Sequence, residues 1–358
     1  MNFLIFRNSL KLTLLLAVLS GCATTLLPPI SERPVEPLPA ALGDAFCYPQ
    51  VPVAASVELI EEKSKFHFYK GSFDSRIPDD PDPTPITFEW YQPVDVDSAP
   101  VVLVLPILNG QKHIVRPFAT YFAKRGYASI IVDSRQRSTL TEDILDPQAA
   151  IRQAVRRHRR VLDWVDSEPA LDGDSVVVFG ASLGGFNAFF LSAFDDRVRG
   201  VAPALVAADL PYVFANSNER RIEEAFAAAM EQLDIDRDAL ESRMRRMIAT
   251  DTATLSPHLD ANRILMVHAK RDKAVPFAKQ QELWQRLGQP EVVVLPTGHV
   301  TSAAYIFYLR KRVLRFFDRV LAEPAGSVAA ISPASCLGSR SPPIMSGTHG
   351  TNATASGE

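Results

Sequence analysis

The chain reads as an α/β domain built on a mainly parallel, twisted sheet with helices on both faces. Three observations predict it. Dense apolar runs recur at 101–105, 128–132, 176–180, 200–206, 264–268 and 292–295, and continuous runs of this length suit strands buried on both faces. Between most of them lie stretches with apolar residues at helical spacing, such as Ile151, Val155, His158, Leu162 and Val165, and strands alternating with helices imply crossovers and a parallel sheet. At the third run, Gly180-Ala181-Ser182-Leu183-Gly184-Gly185 stands where strand gives way to helix.

Each segment has its own local reason. Residues 1–21 place Arg7 and Lys11 around the start of an apolar stretch, 12–19, that is shorter than the about 20 residues a spanning helix needs. It ends on small residues, as a cleavable signal does. Leu19-Ser20-Gly21-Cys22 resembles a bacterial lipobox, which implies a lipidated Cys22 as the first mature residue and attachment to a membrane. Ala23 after it, rather than Asp, resembles the outer-membrane sorting pattern, with the domain facing the periplasm. Pro28, Pro29, Pro34, Pro37 and Pro39 mark 22–52 as an extended, stiff tether. Residues 57–69 and 86–91 read as an antiparallel pair that opens the 53–322 domain. The run Arg156-Arg157-His158-Arg159-Arg160 falls on a helix whose apolar stripe is already assigned, so the arginines are expected on its solvent face. Attraction to anionic headgroups is the second reading. Residues 210–259 exceed the needs of a crossover and hold amphipathic stretches at 219–233 and 236–248. A small helical cap over the carboxyl ends of the strands is expected there, with a decorated crossover as the alternative. The segment 323–358 is rich in Ser, Gly, Ala, Thr and Pro without a period and is expected to be disordered.

Three strand ends carry chemistry. A sharp turn exposes the Ser182 hydroxyl, and Gly180 and Gly184 permit the close approach of strand and helix. Asp272 lies just beyond 264–268, in Asp272-Lys273-Ala274-Val275-Pro276, and His299 just beyond 292–295, in Pro296-Thr297-Gly298-His299. A serine is a poor nucleophile until an imidazole, with a pKa of about 6.5, accepts its proton. A carboxylate then fixes the tautomer and stabilises the imidazolium. The order Ser, Asp, His and these contexts resemble the α/β-hydrolase superfamily over roughly 57–321. The resemblance implies Ser182 as nucleophile, His299 as general base and Asp272 as its orienting acid. It also implies an oxyanion hole formed by the backbone N–H groups of Leu183 and Leu108. Ile107 is the alternative second donor, because Pro106-Ile107 replaces the His-Gly of many relatives. Asp209, after the run 200–208, is the alternative acid; His113 is the rival base, and His268 reads as a core residue. Asp133-Ser134-Arg135 resembles a loop beside the site and is expected to be structural. Phe186, Phe189, Phe190, Phe214 and Phe226 are expected mostly in the core, with one or two lining an acyl pocket.

With 358 residues, 47% hydrophobic, and a formal net charge of -3, the chain can bury one full core and gives no global reason to expect nucleic acid. Its three cysteines, Cys22, Cys47 and Cys336, form no metal-ligand pattern. No metal or organic cofactor is expected, and an oxidising periplasm would permit Cys47 and Cys336 to pair. The expected function is an envelope-tethered serine hydrolase that cleaves small-molecule carboxylic esters through an acyl-enzyme. An acyltransferase or peptidase using the same triad is the enzymatic alternative, and a non-catalytic envelope binding lipoprotein on the same fold is the other class.

Overall fold

The computed structural model describes residues 23–26, 33–48, 52–77, 84–133 and 139–323. The signal segment, Cys22, Arg135, Cys336 and the tail from 324 onward lie outside the described residues.

Among the described residues, ten strands form one sheet in the order β1-β10-β9-β8-β7-β5-β6-β4-β3-β2. Its centre is parallel: β5 (Ala99–Leu105), β6 (Ala128–Val132), β7 (Leu171–Ala181), β8 (Val198–Ala204), β9 (Leu265–Ala269) and β10 (Glu291–Leu295). Antiparallel strands flank it, with β1 (Thr24–Leu26) beside β10, and β4 (Ile86–Pro93), β3 (Phe66–Phe73) and β2 (Ser56–Glu62) beyond β6. The stretch 57–69, expected as one strand, is a hairpin: Lys63-Ser64-Lys65 reverses the chain, and the Lys63 N–H donates to the Phe66 carbonyl at 3.0 Å.

The helices are α1 (Ala40–Asp44), α2 (Lys112–Ala123), α3 (Leu140–Leu145), α4 (Pro147–Ser167), α5 (Leu183–Phe194), α6 (Leu210–Asn216), α7 (Arg220–Leu233), α8 (Arg237–Met247), α9 (Thr252–Leu255), α10 (Phe277–Arg286) and α11 (Ile306–Ala322). Strand β5 shows how its alternation sorts the two layers. Val101, Leu103 and Leu105 join a core with Val155 and Leu162 of α4, Phe186 and Phe190 of α5 and Leu283 of α10. Val102 and Val104 join the opposite core with Phe118 and Phe122 of α2 and Val313 and Phe317 of α11. Within 210–259, α6, α7 and α8 enclose a third, smaller core with α3, made of Ile144, Ala215, Phe226, Ala229, Leu240 and Met244. Glu219 and Asp236 cap α7 and α8, accepting from Ile222 and Ala239 N–H respectively, which starts both helices where their amphipathic patterns begin.

Two expectations are corrected. The arginines of α4 are not on a solvent face: Arg157, Arg159 and Arg160 are buried. Irregular segments cover this side of the helix and offer carbonyls to it. Arg159 donates to the Phe46 carbonyl and to Asp195, and Arg160 to the Ser75 carbonyl and to Asp163. Arg157 donates to the Thr84 carbonyl. Burial works against the Asp195 charge, but the guanidiniums of Arg197 and Arg159 overcome it and hold this carboxyl below its ordinary range. Residues 33–48, expected within the tether, pack on the domain. Phe46 is fully buried and stacks on Phe194 with ring centroids 3.8 Å apart, while Arg33 donates to the carbonyls of Ser256 and Leu259. Cys47, beside it, is disulfide-bonded.

Two buried histidines make stability depend on pH. Burial pushes His268 in β9 down to about 4, and burial with the adjacent Arg157 charge pushes His158 in α4 down to about 4. An unfolded histidine binds its proton near 6.5, so between about pH 6.5 and 4 the unfolded chain holds more protons than the folded one. Stability therefore falls as pH drops through that window, by up to ~3 kcal/mol per histidine. His268 Nε2 has no partner among the described residues, so His268→Phe is expected to flatten the decline of the unfolding midpoint between pH 7 and 4. An unchanged slope in thermal melts would contradict this.

Candidate active site

The elbow is built by close packing. Ser182 has φ 54° and ψ -124°, a positive φ that costs a non-glycine residue on the order of 1–3 kcal/mol and persists only where its surroundings enforce it. Strand β8 supplies part of that enforcement, because the Ser182 N–H donates to the Ala204 carbonyl at 2.9 Å. A Cβ at Gly180 would meet the Gly184 backbone, and one at Gly184 would meet the Leu105 carbonyl. Both glycines are therefore required by the packing of β7 against α5 and β5.

Asp272 and His299 sit on adjoining loops stitched by the Arg271 N–H, which donates to the Thr297 carbonyl at 2.9 Å. The His299 loop is closed by the Ser302 hydroxyl, which donates to the Gly298 carbonyl at 2.8 Å. His299 Nδ1 lies 2.8 Å from Asp272 Oδ2, and His299 Nε2 lies 2.9 Å from Ser182 Oγ. An ionised carboxylate can only accept, so Nδ1 carries the hydrogen and Nε2 is left to accept from the serine hydroxyl. The structure thus joins Ser182, His299 and Asp272 in one hydrogen-bonded line. His113 lines the same cavity but is not part of that line.

The spacing D-x-x-V has a physical reason. Asp272 Oδ1 accepts from the N–H groups of Ala274 and Val275, both at 2.9 Å, folding the loop back on its own acid. The other oxygen accepts from His299 and from Gln280 Nε2 at 3.2 Å. Gln280, fully buried on α10, was not singled out by its sequence context, which carries no motif. Its Oε1 accepts from the Ala269 N–H at 3.1 Å, and its Nε2 also donates to the Val275 carbonyl at 2.7 Å. The backbone donor fixes which end of the amide is oxygen, and so aims the amine at Asp272. Gln280→Met is expected to lower kcat about tenfold, the order of one hydrogen bond to a charged group at about 1.5 kcal/mol. Without that donor the Asp272 carboxylate is more basic and favours the imidazolium more, so the acidic limb of kcat/KM should move to higher pH. A purely structural defect would lower the active fraction and leave the limb in place.

The remaining sequence candidates separate. Leu183 opens α5, so its N–H lacks an intrahelical partner. Leu108 opens a single 3₁₀ turn (Leu108–Gly110), and Ile107 and Leu108 line the cavity that holds Ser182. Asp209 stands elsewhere: it caps α6 and is engaged by Arg245 at 2.7 Å and Lys279 at 3.0 Å. His268 is core. Asp133 is buried and pairs with Lys112 at 3.5 Å, and Lys112 also lies 3.4 Å from the buried Glu89.

The cavity at Ser182 has a volume of about 620 Å³. Insertion residues Leu210, Val213, Phe214 and Ile222 form one wall, and Phe186 and Phe190 of α5 form another. Phe189 and Phe226 are instead fully buried in packed cores.

No family model matches the chain. It is 27% identical over 123 residues to an uncharacterised 31.7 kDa protein of the traX-finO intergenic region of Escherichia coli, covering 31% of this chain and 38% of that one. The match therefore spans well under half of the relative. Among solved structures, an acetyl xylan esterase from Paenibacillus sp. R4 is similar with a TM-score of 0.59 and 20% identity over 78% of this chain and 92% of that one. Acetyl xylan esterase 1 from Thermoanaerobacterium sp. JW/SL YS485 is similar with a TM-score of 0.60 and 15% identity over 82% and 99%. The fold is the α/β-hydrolase fold.

Proposed function

We propose that the protein is a serine hydrolase of carboxylic esters. The observation that carries the reading is the continuous line from Asp272 through His299 to Ser182, with the serine on a strained elbow that lines a cavity of about 620 Å³. Ser182 Oγ attacks the ester carbonyl carbon as His299 Nε2 takes its proton, and the N–H groups of Leu183 and Leu108 receive the charge on oxygen. The carbon–oxygen bond to the leaving alcohol breaks, the alcohol takes the proton from His299, and an acyl-enzyme remains. Water then adds to the acyl carbon, giving a proton to His299, and the proton returns to Ser182 as the acid leaves. The esterase names of the structural neighbours agree with this reading, and the fold by itself would not distinguish it from an acyltransferase.

The lipobox-like sequence supports a second component of the proposal: lipidation at Cys22 and residence at the outer membrane, facing the periplasm. Metabolic labelling with a fatty-acid probe, with Cys22→Ala as control, tests it; equal labelling of both would refute the anchor. For the activity, detergent-solubilised full-length protein is treated with a fluorophosphonate and the adduct located by peptide mass. Label on Ser182 is expected, and a folded but unlabelled protein would refute the hydrolase reading.

A further inference from the structure

The cavity is far larger than the triad needs. Its exposed lining, Gln111, His113, Arg221 and Val300, belongs to the mouth, whereas Ile151, Ala154, Phe190 and Val213 are buried and belong to its depth. At about 620 Å³ it falls among pockets that enclose a drug-sized ligand, roughly 300–1,000 Å³. An acetyl group ends one bond beyond the carbonyl and would leave this depth empty.

Two polar residues of the lining are buried: Ser302, whose hydroxyl donates to the Gly298 carbonyl, and Asn187. Asn187 lines the cavity and is 8% exposed. It follows Ser182 by five residues, roughly 7.5 Å of helical rise along α5. Among the described residues no side chain or backbone group hydrogen-bonds its amide, in contrast to Gln280, whose amide is fully engaged. Water can satisfy such an amide, but a plain hydrocarbon chain would displace that water and strand the group without a partner, which costs binding. A chain with a hydroxyl at that depth would satisfy it, since an amide offers both donors and an acceptor.

We infer that the acyl part of the substrate is an extended, mostly apolar chain bearing a hydrogen-bonding substituent several carbons from the carbonyl, and that Asn187 reads that substituent. This deepens the ester-hydrolase reading and rests on it. Phe186 and Phe190 flank Asn187 on the same helix, so the apolar parts of the chain on either side of the substituent meet aromatic faces.

The test uses the full-length protein, wild type and Asn187→Leu, with p-nitrophenyl acetate, octanoate and octanoates bearing one hydroxyl at successive carbons. Fluorophosphonate labelling of Ser182 is measured first in both. Octanoate is expected to exceed acetate at least tenfold in kcat/KM, and one hydroxyoctanoate to exceed octanoate about tenfold in the wild type. Asn187→Leu should reverse that last preference. Ratios within one protein do not depend on its folded fraction, and the wild-type comparison stands even where the variant folds badly. If Ser182 is labelled and octanoate is no better than acetate, the acyl-chain site is overturned while the hydrolase reading survives. If octanoate is preferred but no hydroxyl position gains, or Asn187→Leu changes all substrates equally, the role of Asn187 is overturned. Absence of label on folded wild type overturns the hydrolase reading itself, and this inference with it.

Discussion

Ser182→Ala is expected to lower kcat for an activated ester by about six orders of magnitude, as loss of a triad nucleophile does elsewhere. The variant should keep its unfolding midpoint within a few degrees. Alanine occupies the same backbone as serine at φ 54°, so the conformational strain is retained and only the hydroxyl that faces His299 Nε2 is lost. What remains is whatever rate His299 achieves by activating water against a carbonyl held by the proposed oxyanion donors, the Leu183 and Leu108 N–H groups. Burst kinetics and fluorophosphonate adduct should vanish together. A variant that kept more than about one hundredth of wild-type turnover would mean that the hydroxyl is not the attacking group.

Much of this site was legible because the strand ends dictate it. An exposed serine between Gly180 and Gly184 has a steric cause, and the structure finds both glycines wedged between backbone segments. The Asp272 context was readable because D-x-x-V places two N–H groups, those of Ala274 and Val275, on one carboxylate oxygen. Residues whose meaning depends on distant partners were not legible. Helical periodicity put the α4 arginines on an outward face, but periodicity says only which face lies opposite the sheet. It does not say that residues 33–48 and the loops carrying Ser75 and Thr84 will cover that face and accept from it. Gln280 and Asn187 present the same difficulty in a sharper form. Both are amides on apolar helical faces, and only the tertiary structure shows that one is fully hydrogen-bonded beneath Asp272 while the other borders the cavity.

Asp272→Asn is expected to cost about 10⁴-fold in kcat, whereas Asp209→Asn should change it less than about threefold. The two acids stood as alternatives at strand ends, and their surroundings now separate them. The Asp272 carboxylate accepts from two backbone N–H groups, Gln280 and His299. Asparagine there would keep one acceptor oxygen for the backbone pair and turn its amine towards His299 Nδ1. The imidazole would then hold its hydrogen on Nε2, facing Ser182 Oγ with no free lone pair to take the serine proton. The amine would also face Gln280 Nε2, which keeps its bond to the Val275 carbonyl, so a modest loss of stability should accompany a large loss of rate. Asp209 holds the opposite position. Its oxygens meet Arg245 and Lys279 and cap α6 through the Tyr212 N–H; asparagine there still caps the helix, so the loss of stability is that of two part-exposed ion pairs, about 1 kcal/mol. The insertion would loosen while the triad stayed intact. Kinetics on both variants, read beside their melting curves, discriminate cleanly, because only Asp272→Asn combines a modest loss of stability with a large loss of rate. A large kinetic loss in Asp209→Asn with an unchanged melt would move the orienting acid to the end of β8 and require His299 to turn away from Asp272.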